Sequence, residues 1–274
     1  MSEGSFPAKG RAHLRASRRA VLAGAAVTPF VFGAATAANT DVSMPRLRIL
    51  AYGDSNTWGW RPTEKGYPTT RYDETVRWPR IVGTLLEPSF EMIENGLNLR
   101  TTDLDDPIGS GDPDGQVAGV DFNGLKTLPA VLAAHAPLDL VILALGQNDL
   151  QTPFERTAAE IADGVASLAA CVAGSGGEVG TVYPPPKVLV VAPAPLPNRL
   201  HPVLGQRLLG AHARSLGMSS AFAAMTKAHS LPQVDASAII GPPTGSDFRH
   251  YTEGQHRRLG SAVADEVRRM GLAA

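Results

Sequence analysis

A single cysteine, Cys171, leaves the chain unable to form an internal disulfide or a zinc-type Cys/His cluster. Its neighbours Leu168, Ala169, Ala170 and Val172 read as the apolar face of a helix, so Cys171 reads as a small buried hydrophobe and not as a nucleophile. Neither sign of charge dominates: 25 basic residues stand against 26 acidic ones. No internal repeat divides the 274 residues, so one sizeable domain with its own core is expected. The apolar content of 43% and charged content of 19% fit a soluble globular chain.

The charge is unevenly placed. Lys9, Arg11, Arg15, Arg18 and Arg19 face only Glu3, and no charge follows from Ala20 to Thr40. A basic region, an apolar region and the small-residue stretch Ala35-Thr36-Ala37 make residues 1–38 an expected, cleaved export signal. Ser17-Arg18-Arg19-Ala20-Val21-Leu22 resembles the twin-arginine type, which implies a periplasmic or secreted protein that meets a membrane only during export. Thr28-Pro29 and the Ala/Gly content argue against a retained anchor. Without residues 1–37, 20 basic residues remain against 25 acidic ones, a net charge of −5. No basic patch is left to follow a phosphate backbone, which argues against nucleic acid as a partner.

Residues 46–274 read as a single domain. Short apolar runs at Leu47–Tyr52, Phe90–Glu94, Asp139–Leu145, Lys187–Ala192 and Pro232–Ile240 predict five strands. Helical spacing fills Trp78–Glu87, Leu125–His135, Phe154–Ala173, Val203–His229 (broken at its glycines) and Thr252–Met270. Asp103–Asp121, rich in Gly, Asp and Pro, predicts loop. Regular alternation predicts an α/β fold, a three-layer sandwich around a five-stranded parallel sheet. Ligands of such sheets sit at the carboxyl ends of the strands, where strand order reverses.

Three segments converge on that edge. Gly53-Asp54-Ser55-Asn56 follows the first strand, Gly146-Gln147-Asn148-Asp149 the third, and Asp247-Phe248-Arg249-His250 the last. A serine hydroxyl needs a base before it can attack, and a histidine with an ordinary pKa of ~6.5 is mostly neutral at pH 7. Asp247, three residues before His250, can hold the imidazole's other nitrogen. Ser55, His250 and Asp247 thus make a candidate catalytic triad. The backbone N–H of Ser55 and the side-chain amide of Asn148 are candidate oxyanion donors, such a donor being worth roughly 100- to 1000-fold in rate. Asp54, Asn56, Trp58 and Trp60 are candidates for the substrate pocket. Asp54 also reads as a carboxylate organising the turn, and the two tryptophans as core packing behind it. His256 is the one rival base. His135, His201, His212 and His229 read as structural or solvated, and His13 lies in the leader.

In their order and strand context these segments resemble blocks I, III and V of the SGNH (GDSL) hydrolases, whose fold is flavodoxin-like. Gly53-Asp54-Ser55-Asn56-Thr57-Trp58-Gly59-Trp60 and Asn95-Gly96-Leu97-Asn98-Leu99-Arg100 are similar to the arylesterase/acyltransferase (perhydrolase-type) branch. The resemblance implies a serine esterase acting on short aryl or alkyl acyl esters, with acyl transfer to alcohols or peroxide, no metal or organic cofactor, and a homo-oligomer. It adds the Leu99 N–H to the oxyanion donors. Leu99 departs from the small residue of the relatives and crowds the acyl pocket. The alternatives are a carbohydrate acetylesterase or lipid-type esterase on the same scaffold, and a non-catalytic α/β binding module.

Overall fold

The computed structural model describes residues 46–107, 109, 117–176, 178–199 and 201–272. The expected export signal, residues 1–38, lies outside them. In chain order the strands are β1 (Leu47–Gly53), β2 (Phe90–Gly96), β3 (Leu140–Ala144), β4 (Lys187–Ala192) and β5 (Gln233–Asp235). The helices are α1 (Ser55–Trp58), α2 (Trp78–Leu86), α3 (Gly124–His135), α4 (Ala158–Ala173), α5 (Ala211–Ser215), α6 (Met218–Ala228), α7 (Ala236–Ile240) and α8 (Glu253–Arg269). None of them is long and apolar enough to cross a membrane.

All strand pairs are parallel, in the order β2-β1-β3-β4-β5. Alternate residues of one strand serve opposite layers. Leu50 and Tyr52 enter a core with α3, α4 and α6, while Ile49 and Ala51 enter a second with α2 and α8. Burial on both faces is why these strands read as unbroken apolar runs. Ile161, Val165, Leu168 and Val172 place one stripe of α4 in the first core. Each such side chain stabilises the fold by roughly 1.5–3 kcal/mol when fully buried.

Strand order reverses between β1 and β3, opening a crevice at their carboxyl ends. Gly53 pairs with Gly96 on one side and Ala144 on the other. A Cβ on Gly96 would lie 2.2 Å from the Trp58 backbone nitrogen, so glycine is what lets β2 end against α1.

Two expected elements differ. The helix expected from Phe154 starts at Ala158, because Thr157 and Glu160 form a capping box that ends the preceding turn. The strand expected over Pro232–Ile240 stops at Asp235. Its carboxylate accepts the Ser237 N–H at 2.9 Å and starts α7 instead.

Candidate active site

The local chemistry of Asp247 builds the first half of the site. Its Oδ1 accepts the backbone N–H groups of Arg249 and His250, at 3.1 and 3.0 Å. Phe248, between Asp247 and Arg249, has φ 61°, the left-handed conformation that closes this short turn. The turn leaves Oδ2 facing His250 Nδ1 at 2.7 Å. Across the crevice, His250 Nε2 stands 2.9 Å from Ser55 Oγ. All three residues are at most 4% exposed.

Burial alone would raise the Asp247 pKa. The His250 hydrogen bond and charge, with the two backbone N–H groups, outweigh it and hold Asp247 at about 2. Burial dominates at His250 and lowers its pKa. Arg249 pushes the same way and Asp247 opposes. The result is a neutral imidazole beside a permanent carboxylate. The tautomer that suits this pair carries its proton on Nδ1 and leaves Nε2 free to accept from Ser55.

Ser55 is the first residue of α1, and Asp54 is its N-cap, accepting the Asn56 N–H at 2.9 Å. Burial raises Asp54 to about 6. Its carboxylate organises the turn. Asn56, taken from sequence as a pocket candidate, is buried, and both ends of its amide are bonded to neighbouring loops. Nδ2 donates to Gln147 Oε1 at 3.0 Å, and Oδ1 accepts the Tyr251 N–H at 3.0 Å. It ties the loops after β1 and β3 to the histidine loop.

The indole of Trp60 stacks on the His250 ring, with centroids 4.8 Å apart and planes 19° apart. Trp58 stands 6.4 Å from Trp60, with the Arg71 guanidinium 5.7 Å from its own ring. Trp60 therefore walls the site at its base, and Trp58 stands one ring further out.

The candidate oxyanion donors lie in the three segments that follow β1, β2 and β3. The Ser55 and Leu99 N–H groups have no acceptor among the described residues. Leu99 has φ 67°, which explains why a small residue, glycine above all, suits this position. Arg100 anchors its loop, donating to Gly53 O at 2.9 Å and Asn95 O at 2.7 Å. Asp149 accepts the Thr102 N–H at 3.1 Å and holds the loop's far end. Asn148 Nδ2 spends one hydrogen on Arg100 O at 2.9 Å, leaving the other free.

Replacing Leu99 by Gly removes a side chain from a backbone conformation that costs an L-residue roughly 1–2 kcal/mol. We expect hexanoyl esters to gain at least tenfold in kcat/KM relative to acetyl esters. An unchanged chain-length profile would show that Leu99 does not limit the acyl pocket.

Of the histidines, His256 is fully buried between Tyr72 and Tyr251, its ring centroid 5.3 and 5.8 Å from theirs. Its Nδ1 accepts the Trp78 N–H at 3.4 Å, which turns it to α2. Burial lowers its pKa to about 3. His201, read from sequence as structural or solvated, instead sits beside the site. Its Nε2 is 4.0 Å from Asp247 Oδ2, and burial lowers its pKa to about 4. The signal was its place after β4, at the same rim as the other segments. Arg249 was also overlooked although it stands inside the Asp247–His250 segment. It is 2% exposed and donates to Asn148 Oδ1.

One ring nitrogen each of His201 and His250 and one carboxylate oxygen of Asp247 lie within 4.8 Å of one another, a spacing that a metal ion could bridge. His201 does not fit that role. Its Nδ1 accepts the Val203 and Leu204 N–H groups at 3.0 and 2.9 Å, so its proton sits on Nε2 and no lone pair there faces the cluster.

Comparison with protein-family models and with curated proteins gives no match. Solved structures do match. The M. smegmatis aryl esterase is 43% identical at a TM-score of 0.74, covering 81% of this chain and 99% of its own. Est24, a carbohydrate acetylesterase from Sinorhizobium meliloti, is 39% identical at a TM-score of 0.74, covering 82% of this chain and 100% of its own. A second carbohydrate acetylesterase family member from that organism is 30% identical at a TM-score of 0.72, with 82% and 100% covered.

Proposed function

This chain belongs to the SGNH (GDSL) hydrolases and is a carboxylic ester hydrolase; from that premise we propose that it cleaves short-chain acyl esters with Ser55 as nucleophile, His250 as general base and Asp247 as orienting carboxylate. The observation that carries this reading is the unbroken hydrogen-bonded line from Ser55 Oγ through His250 to Asp247, with links of 2.9 and 2.7 Å.

Ser55 Oγ attacks the ester carbonyl while His250 Nε2 takes its proton. Charge gathers on the carbonyl oxygen, where the N–H groups of Ser55 and Leu99 and the Asn148 amide receive it. The tetrahedral adduct collapses as the imidazolium returns the proton to the departing alkoxide. Alcohol leaves, and the acyl group stays on Ser55. Water then attacks, losing its proton to His250, and the acid is released with the serine restored. An alcohol or peroxide in place of water takes the acyl group instead. The Trp60 ring over His250 supports that branch, since an apolar wall disfavours water.

The test is a fluorophosphonate probe. It should add one label per chain, on a tryptic peptide containing Ser55, and label no Ser55→Ala protein. A label on another serine would end the assignment. Est24 favours a second reading, a carbohydrate acetylesterase. Turnover of acetylated sugars well above that of aryl acetates would select it. Export by residues 1–38 and a homo-oligomer complete the proposal. N-terminal sequencing and light scattering of the exported protein test both.

Activity requires neutral His250, and burial holds its pKa below the ordinary histidine value. As pH falls, kcat/KM should therefore persist past ~6.5 and decline only below it. A pH–rate profile whose acidic midpoint lies above 7 would contradict this environment.

A further inference from the structure

We propose that Arg249 is a positioning residue of the oxyanion site, holding the Asn148 amide with its oxygen turned inward and its free N–H turned to the carbonyl oxygen of the substrate. This rests on the reading of Ser55, His250 and Asn148 given above.

An amide side chain has two faces of similar shape. Only the orientation with nitrogen toward the crevice helps the reaction. At Asn148 the neighbours choose. Oδ1 accepts from the Arg249 guanidinium and from Gln151 Nε2 at 3.3 Å, while Nδ2 donates to Arg100 O at 2.9 Å. A flipped amide would set its N–H hydrogens against a cation and its oxygen against a carbonyl. Of the two donors to Oδ1, Arg249 is the charged one. A charged donor makes roughly twice as strong a hydrogen bond as a neutral one. It also draws electron density toward Oδ1, which makes the remaining N–H a better donor.

The turn that makes the triad also aims Arg249. Its backbone N–H is bound to Asp247 Oδ1 at 3.1 Å, next to left-handed Phe248, so the guanidinium is carried under the crevice and not into solvent. Burial lowers its pKa to about 10, with Asp54 and Asp247 opposing, so it remains a cation at neutral pH. Nη1 has no partner among the described residues. The charge acts on Asn148, its hydrogen-bond partner, and on His250, the next residue.

The groups around His250 are Asp247 and Arg249 on its own loop, Ser55 from α1, His201 from the loop after β4 and His256 from α8. The two histidines are held neutral by burial. Arg249 is then the cation whose loss His250 would register. Removing it should raise the His250 pKa.

Four variants test this: Arg249→Met, which loses charge and donor; Arg249→Gln, which loses the charge; Asn148→Ala; and Arg249→Met combined with Asn148→Ala. With p-nitrophenyl acetate, Arg249→Met should lower kcat by 10- to 100-fold, with KM changed less than threefold. In the Asn148→Ala background the same substitution should cost less than threefold more, once rates are compared above the acidic limb. Both Met and Gln should move that limb upward by half a pH unit or more. Equal losses in both backgrounds, or an unmoved limb, would overturn the proposal. If the Met variant does not fold, the limb of the Gln variant decides alone. Fluorophosphonate titration of Ser55 counts competent sites throughout. Failure of wild-type labelling would refute the parent reading, whereas normal labelling with an unresponsive Arg249 refutes only this one.

Discussion

Replacing Ser55 by Ala eliminates the initial burst of released alcohol and lowers kcat by about 10⁴-fold or more, the scale on which serine hydrolases lose activity when the nucleophile goes. The fold should not register the change. Ser55 opens α1, but the cap of that helix is the Asp54 carboxylate, and alanine is the best helix former. Its hydroxyl contacts His250 and leaves no other buried group unpartnered when removed. The melting curve should shift by no more than the ~0.5 kcal/mol typical of silent substitutions. The residual rate reflects binding and the oxyanion donors, which the variant keeps. A burst that survived in Ser55→Ala would mean that another group takes the acyl chain.

The second large effect separates two histidines. His250→Ala should lose activity on the same scale as Ser55→Ala, because the two act as one unit and their losses do not add. His256→Ala should keep kcat within about tenfold and lose stability instead. It strands the Trp78 N–H, at a cost of about 1–3 kcal/mol for an unsatisfied buried donor. The sign of the pH dependence follows from its pKa of about 3, below the unfolded value of ~6.5. Between those limits the unfolded chain holds a proton that the folded chain lacks, so His256 makes stability fall as pH falls. Urea denaturation should therefore show a shallower acid loss in His256→Ala than in the parent. Loss of activity in His256→Ala with activity kept in His250→Ala would reverse the roles.

Several elements of the site were legible from residue order. Leu47–Tyr52 and Lys187–Ala192 announce buried parallel strands, and parallel strands put the loops that follow them at one rim. Asp247 and His250 are three residues apart, close enough for a single turn to pair them. The limits of legibility lie where the direction of a side chain decides its role. Asn56 looks like a pocket residue on the nucleophile turn, yet its amide faces inward to Gln147 and the Tyr251 backbone. His201 looks ordinary, yet its ring stands beside Asp247. Nothing local to either residue distinguishes these directions. The start of α4 was misplaced for a different reason, since the Thr157–Glu160 capping box competes with an apolar pattern that runs through it.

The amino-acid order by itself determined the parallel α/β architecture and the pairing of Asp247 with His250 in one turn, because hydrophobic period and short spacing act over a few residues. Only the tertiary structure decided that Trp60 covers His250, that His256 turns away to α2, and that Arg249 reaches Asn148. Those outcomes depend on how segments separated by about a hundred residues or more are packed, and packing is a property of the whole core.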